Sequence, residues 1–306
     1  MIELSVVIPV CNEENNIEVL YYKLIRALNK IKKSYEIIFV DDGSNDNSFK
    51  VIKNLSEKDK NIRIIQFQKN FGKSAALSSG FKIAKGSLII TMDGDLQDDP
   101  DEIPRFLEEI KNYDLVVGWK YKRKDPLSKR FFSLLFNTLV RLLIKLNIHD
   151  SNCGFKIYKK KVIDNINLYG ELHRYIPALA YWSGFKVGEI KIKHYPRIYG
   201  KSKYGAGRLF KGFLDLITIK FLMTYGKRPL HLFGVLGFFC FLLGTIIGLD
   251  LTYLWFKGEG IGNRPLLMLG ILLIVIGIQF VSLGLLGEMI SSAQKKKSYI
   301  IKEEIS

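Results

Sequence analysis

The chain has 306 residues and carries 46 Lys+Arg against 30 Asp+Glu, a formal net charge of +16. That balance points to a polyanionic partner: nucleic acid, an anionic membrane surface or phosphorylated substrates. Cys11, Cys153 and Cys240 lie far apart with no CxxC or Cys/His cluster, which argues against a disulfide scaffold or a zinc site and fits a reducing compartment.

The length suits one large domain or a domain with an annex. No signal peptide opens the chain, because Leu4–Val10 reads at once as a strand. Residues 15–32 have helical spacing, with Ile17, Leu20, Leu24 and Leu28 on one face. Strands follow over 35–40 and 62–67, separated by a helix over Ser48–Lys58 with Asn45 or Asp46 as its cap. A helix over 73–84, a strand from Leu88, a helix over 100–112 and a strand over 115–118 continue the alternation. Such a βαβα series predicts an α/β fold with a parallel sheet covered by helices. Ligands then bind beyond the carboxyl ends of the strands.

Polar groups cluster at those ends. Pro9-Val10-Cys11-Asn12-Glu13 follows the first strand, Asp41-Asp42-Gly43-Ser44 the second and Asp93-Gly94-Asp95 the fourth. In extended chain, side chains at i and i+2 point the same way, so Asp93, Asp95 and Gln97 can present oxygens to one point. Mg2+ or Mn2+ takes oxygen ligands, and Mg2+ often uses one or two carboxylates plus substrate phosphates. Gly94 leaves room for a phosphate-bearing ligand. Each loop alone is an ordinary turn; three acidic loops on one rim repel unless a cation or donors join them. Neither GxGxxG after the first strand nor GxxxxGK[ST] occurs, which argues against a dinucleotide cofactor and a P-loop. Lys73 and Ser74 open a helix whose N-terminus favours anions, or is simply a helix start.

Residues 126–148 form a helix with a narrow basic stripe and a wide apolar face, suited to a membrane interface or to packing on the sheet. The turn containing Asp150, Gly154, Phe155 and Lys156 follows, then a helix near 171–183 and a strand over 186–192. Residues 194–204 make a basic loop with aromatics, fit for nucleic acid, a diphosphate clamp or plain solvation. A second amphipathic helix spans 209–223 within a basic strip, where each cation near an anionic leaflet contributes about 1 kcal/mol. Two apolar spans, 231–256 and 266–287, are long enough to cross a bilayer, which needs about 20 helical residues. Lys227 and Arg228 before them and Lys295-Lys296-Lys297 after them put both termini in the cytoplasm and the linker 257–265 outside. Gly244-x-x-x-Gly248 suits close helix packing, within a pair or in a homo-oligomer.

Taken in order, Pro9…Asn12-Glu13, Asp41-Asp42-Gly43-Ser44, Asn70-Phe71-Gly72-Lys73, Met92-Asp93-Gly94-Asp95-Leu96-Gln97-Asp98-Asp99-Pro100, Asp150…Gly154-Phe155-Lys156, Arg197-x-x-Gly-x-Ser-Lys-Tyr204 and the paired spans resemble the polyprenyl-phosphate hexose synthases. These are inverting glycosyltransferases of the A-type, Rossmann-like fold. The likeness covers residues 3 to about 290 and implies a cytoplasmic catalytic domain over 1–225 with interface helices, a two-helix transmembrane domain over 226–290 and a cytoplasmic tail over 291–306 of an inner-membrane enzyme.

The resemblance also implies site roles. Glu13 and Asp42, with Pro9, Cys11, Val40, Asp41, Lys73 and Gly94 nearby, would hold a nucleotide-sugar. Asp95 and Gln97 would bind Mg2+ or Mn2+, with Asp93 close to the sugar or metal and acting in catalysis; Asp150 matches an acceptor-side catalytic carboxylate. Arg130, Arg197, Ser202 and Lys203 would grip the diphosphate or the lipid phosphate. Cys11 stands where relatives commonly have Tyr, so no stacking contact is expected there. The implied partners are a nucleotide-sugar, polyprenyl phosphate and an anionic membrane, and no nucleic acid. UDP-glucose is the first donor expected and GDP-mannose the second. Rival readings are transfer to a polysaccharide and, in another class, a membrane-anchored polyanion-binding protein that would not need the acids at 93 and 95.

Overall fold

The computed structural model describes residues 2–121, 146–166, 168, 170–196, 207–226, 228–262 and 264–293. The chain divides into two compact units, Met1–Leu216 and Ile217–Ser306.

The first unit is built on a seven-stranded sheet: β1 (Leu4–Val10), β2 (Tyr35–Asp41), β3 (Ile62–Gln66), β4 (Leu88–Thr91), β5 (Leu115–Lys120), β6 (Lys156–Lys159) and β7 (Val187–Ile192), in the order β3-β2-β1-β4-β6-β5-β7. Every neighbouring pair is parallel except those of β6, which runs antiparallel to β4 and β5. The inner strands read as unbroken apolar runs because both faces are covered: Val6, Val7, Ile8, Ile37, Ile38, Phe39, Val40, Ile89 and Ile90 are all fully buried. Helices α1 (Glu14–Asn29), α2 (Ser48–Lys58) and α3 (Lys73–Ile83) supply the cover, and α1 buries the stripe Ile17, Leu20, Leu24 and Leu28 that its spacing predicts.

The helix expected over 100–112 is shorter and broken: a 3-10 turn over Pro100–Glu102 leads into α4 (Ile103–Glu109). Pro104 has no N–H to donate to the carbonyl of Pro100, so each proline can only open a helix of its own. The same substitution of one helix by two pieces recurs at 171–183, where Leu172–Tyr175 is 3-10 and α6 (Ile176–Trp182) begins afresh with Pro177 in its first turn. Strand β6 and the short α5 (Lys160–Asp164) were not expected. Of the helix expected over 126–148, residues 126–145 lie outside the described residues. The remaining three are not helical, and Leu146 and Ile148 are buried.

Helix α7 (Gly207–Tyr225) crosses the boundary between the units. In the second unit, α8 (Pro229–Phe256) and α9 (Pro265–Ala293) are both long and apolar enough to cross a membrane, and only 11% of the most apolar 18-residue stretch of each is buried. They pack as an antiparallel hairpin. Apart from Pro229, its buried residues recur every seven positions: Gly237, Gly244 and Leu251 on one helix, Gly270, Gly277 and Gly284 on the other. A Cβ at Gly237 would lie 2.7 Å from the Gly277 carbonyl oxygen, and one at Gly244 equally close to that of Gly270. Absent side chains are therefore what lets the two backbones touch, as in other membrane helix pairs. Gly244 thus packs within the chain, while a Cβ at Gly248 would meet nothing within 4 Å, so the expected Gly-x-x-x-Gly pair is not the contact.

Candidate active site

The carboxyl ends of β1, β2 and β4 share one rim. Leaving β1, Asn12 takes φ 52°, a left-handed conformation that Asn tolerates better than most residues. Its Oδ1 accepts from the Asn45 N–H at 2.8 Å and its own N–H donates to Ser44 Oγ at 2.9 Å, so the first two rim loops are tied together. The next N–H, of Glu13, donates to Ser48 Oγ at 2.8 Å. Pro9 and Val40 are register partners on β1 and β2. Half-buried Cys11 receives the Asn70 amide at 3.3 Å.

The two acids ending β2 differ. Asp41 is fully buried; its Oδ1 accepts from the Ser44 N–H at 3.2 Å and from the Ser44 hydroxyl, while among the described residues no donor reaches its buried Oδ2. Asp42 accepts from the Phe71 N–H at 2.7 Å and the Gly72 N–H at 3.0 Å. It therefore anchors the loop that launches α3 and its first residue, Lys73.

The Lys73 ammonium ion-pairs with Asp93. Burial alone would raise the Asp93 carboxyl, but Lys73, Lys120 and Lys156 together hold it at about 2, so it is an anion at neutral pH. Asp95 is buried and accepts from the Gln97 N–H at 3.2 Å. Between them, buried Leu96 adopts φ 61°, uncommon for a branched residue and a mark of a tightly constrained loop. The loop is held on its far side, where Gln97 O accepts from the Tyr195 N–H at 3.1 Å and Tyr195 Oη donates to Asp99 at 3.3 Å. A Cβ at Gly94 would make ordinary 3.6 Å contacts with Pro9 O and Val10. The chain itself thus does not force glycine there; the residue lies beside the end of β1.

Asp150 is buried in the turn that leads into β6. Thr91 Oγ1 donates to Gly154 O at 2.8 Å and the Gly118 N–H donates to Phe155 O at 2.9 Å, so this turn is fastened to β4 and β5 at the same rim. Behind it, Lys120 pairs with Asp98 at 3.2 Å, both side chains almost wholly buried. Burial works against the Lys120 cation, yet Asp98, with Asp93 and Asp150 also near, holds its pKa above that of an ordinary lysine. Lys156 is buried and pushed down to about 8, mainly by burial, and its ammonium donates to Cys153 O. Under α3, Ser74 Oγ lies 2.9 Å from His173 Nδ1, and burial with the nearby Lys73 and Arg174 charges pushes the imidazole down to about 2, so it stays neutral.

Of the residues singled out in the sequence, the structure therefore brings Pro9, Cys11, Glu13, Val40, Asp41, Asp42, Lys73, Asp93, Gly94, Asp95, Gln97 and Asp150 to this rim region. Arg130, Arg197, Ser202 and Lys203 lie outside the described residues. Sequence reading quoted Asp98 and Lys156 within motifs but gave them no role, and it missed Lys120 and His173, whose partners Asp98 and Ser74 are distant in the chain.

No group of three or more His, Cys, Asp or Glu able to hold a metal occurs among the described residues. A closed, all-protein cage is thus not what these residues make. Two carboxylates and a carboxamide on one strained loop suit instead a cation that completes its shell with substrate phosphates and water. On this loop Asp93 ion-pairs with Lys73, and Asp95 accepts from the Gln97 N–H.

Residues 5–166 match the profile described as Glycosyl transferase family 2. The chain belongs to that family. It is 39% identical over 303 residues to a dodecaprenyl-phosphate galacturonate synthase of Rhizobium johnstonii, covering 95% of this chain and 88% of that one. An undecaprenyl-phosphate 4-deoxy-4-formamido-L-arabinose transferase of Edwardsiella ictaluri is 36% identical over 293 residues, covering 94% and 88%. Among solved structures, the glucosyl-3-phosphoglycerate synthase of Mycobacterium tuberculosis, determined with Mn2+, UDP and its product, superposes with a TM-score of 0.56 over 72% of this chain and 79% of that one. At 16% identity that likeness establishes the fold, the A-type α/β architecture. This glycosyltransferase adds two apolar C-terminal helices to it.

Proposed function

We propose that this glycosyltransferase moves a sugar from a nucleoside diphosphate to polyprenyl phosphate, undecaprenyl phosphate being the acceptor to try first, with inversion at the anomeric carbon. The observation that carries the reading is the meeting of two carboxylates' supports: Gly154, in the turn that bears Asp150, packs against Asp93, so acceptor-side and donor-side groups share one wall. Near-full-length likeness to two proteins named for polyprenyl-phosphate transfer supports the acceptor.

The roles are those the family resemblance implies, and the rim geometry supports them where the residues are described. Glu13, Pro9 and Cys11 line the nucleoside, and the fully buried Asp41 and Val40 support that wall from within the fold. Asp42 acts through the 70–72 loop, which it holds so that Lys73 reaches Asp93. Asp95 and Gln97 hold Mg2+ or Mn2+, which when bound neutralises charge on the departing diphosphate. Anionic Asp93 orients the sugar hydroxyls, and Asp150 orients the acceptor. Arg130, Arg197, Ser202 and Lys203 bind phosphate. A phosphate oxygen of the acceptor forms its bond to the anomeric carbon as the bond from that carbon to the diphosphate breaks on the opposite face. The nucleophile is already anionic at neutral pH, since a phosphate monoester has its second pKa near ~6, so little general-base help is needed. Preorganised charge does most of the work.

UDP-glucose remains the first donor to test and GDP-mannose the second; nucleotide-linked galacturonate and 4-deoxy-4-formamido-L-arabinose join them because the relatives are named for those sugars. The two spans anchor the protein in the inner membrane, with the catalytic unit and both termini cytoplasmic. The test is transfer of label from each donor to undecaprenyl phosphate by detergent-purified protein with Mg2+ or Mn2+. A labelled lipid that disappears in Asp95→Ala is the expected result. No transfer from any donor would refute the proposal in favour of simple polyanion binding, and full transfer by Asp95→Ala would refute the role given to Asp95.

A further inference from the structure

We infer that Gly154 is a positioning residue for Asp93, setting where that carboxylate stands in the transfer reaction; this rests on the role proposed for Asp93 above. A Cβ at Gly154 would lie 2.5 Å from Asp93 Oδ2 and 2.6 Å from both Cγ and Oδ1. All three nearest atoms belong to the one carboxylate. The Cα of Gly154 is therefore a wall against which Asp93 rests, while the Lys73 ammonium pulls on Oδ1. An electrostatic partner alone leaves a carboxylate free to swing about its terminal torsion; a wall on another side removes that freedom.

Conformation does not explain the glycine. Gly154 is absent from the residues with positive φ, so its backbone suits any L-residue. Space does explain it, and the wall cannot readily retreat. Its carbonyl is bonded to Thr91 Oγ1 at 2.8 Å, and Thr91 stands two residues before Asp93 on the same strand end. The next carbonyl, of Phe155, accepts from the Gly118 N–H at 2.9 Å. An alanine at 154 must therefore be accommodated by the flexible partner, the Asp93 carboxylate, rather than by backbone. The same turn carries Asp150, so the position of the donor-side acid is referenced to the element holding the acceptor-side acid.

Because a misplacement of about 1 Å can cost on the order of 100-fold in rate, Gly154→Ala should lower kcat roughly 100-fold while leaving acceptor KM within about threefold. The melting temperature should move little, since a side-chain end gives way. The deciding measurement is a double-mutant cycle on full-length protein, read by single-turnover transfer and by donor affinity from calorimetry. In an Asp93→Ala background the struck atoms are gone, so Gly154→Ala should cost nothing further in either readout. Equal losses with and without Asp93, or a Gly154→Ala enzyme with full turnover, would overturn the inference. Full turnover by Asp93→Ala alone would instead overturn the role given to Asp93. Thr91→Val, which loosens the turn without touching the carboxylate, should reduce turnover less than Gly154→Ala; the reverse order would mark Gly154 as merely structural.

Discussion

The buried pair Asp98–Lys120 allows a prediction with a worked magnitude. Asp98 is 0% exposed at its side chain and Lys120 11%, with 3.2 Å between them. At an effective dielectric of about 20, their attraction is about 5 kcal/mol. Desolvating the two ions costs several kcal/mol each, so the intact pair is close to break-even. Removing only the cation is different, because it strands a buried carboxylate at about 3–5 kcal/mol. For a unit of this size each kcal/mol moves the melting temperature by about 3 °C, so Lys120→Met should lower it by roughly 10 °C. Asp98→Asn should cost less, since Asp93 and Asp150 still favour the Lys120 charge. The double variant Asp98→Asn/Lys120→Met removes both charges and should regain more than half of the loss. Melting of the full-length protein in detergent, followed by tryptophan fluorescence, measures all four proteins; Trp119, stacked on His149 with ring centroids 4.0 Å apart, reports on the end of the same strand. A Lys120→Met protein melting within about 2 °C of the parent, or a double variant no better than the single one, would refute the reasoning.

Glu36 should contribute to acid sensitivity. Burial pushes its carboxyl up, but hydrogen bonds from Ser5, the Lys85 N–H and Arg63 outweigh that and leave it below the usual range. A depressed folded value means stabilisation that is present above the unfolded pKa near ~4.3 and lost as pH falls through the folded one, so melting temperature between pH 5 and 3 should fall more steeply in the parent than in Glu36→Gln. In the hairpin, Gly237→Val should destabilise by about 1–3 kcal/mol because its Cβ meets the Gly277 carbonyl, whereas Gly248→Ala should melt like the parent. Cys153 is buried and its thiol is pushed up to about 12, chiefly by burial, so maleimide should label Cys11 in the native catalytic unit and reach Cys153 only on unfolding.

How far the sequence could be read depended on whether a signal was local. Strand β1 and helix α2 have the predicted bounds because an apolar run and a 3.6-residue stripe are written in consecutive residues. Strand β6 left no such trace: it is four residues long, begins and ends in lysine, and its first lysine is buried. The rim acids were legible by position but not by occupation. Asp41 and Asp42 look alike in sequence, yet one keeps an acceptor without a described donor and the other is engaged by amides 29 and 30 residues further on. Lys73 presented two readings, a phosphate binder or a plain helix start; an Asp93 partner 20 residues away is a third, set by tertiary packing.

The reversed strand also explains how the two acidic groups come to one place. In a parallel sheet every strand starts at the edge remote from the ligand rim. A parallel β6 would have put the turn before it, and Asp150 with it, at that remote edge. Because β6 is antiparallel, Lys156 pairs with Thr91 and Lys159 with Leu88, so the strand starts at the rim and its leading turn lies against the end of β4. The last two bonds of that turn, to Thr91 and Gly118, close the gap on both sides. A single inversion of strand direction is thus what brings the turn of Asp150 onto Asp93, and it is the feature of this sheet on which the proposed chemistry most depends.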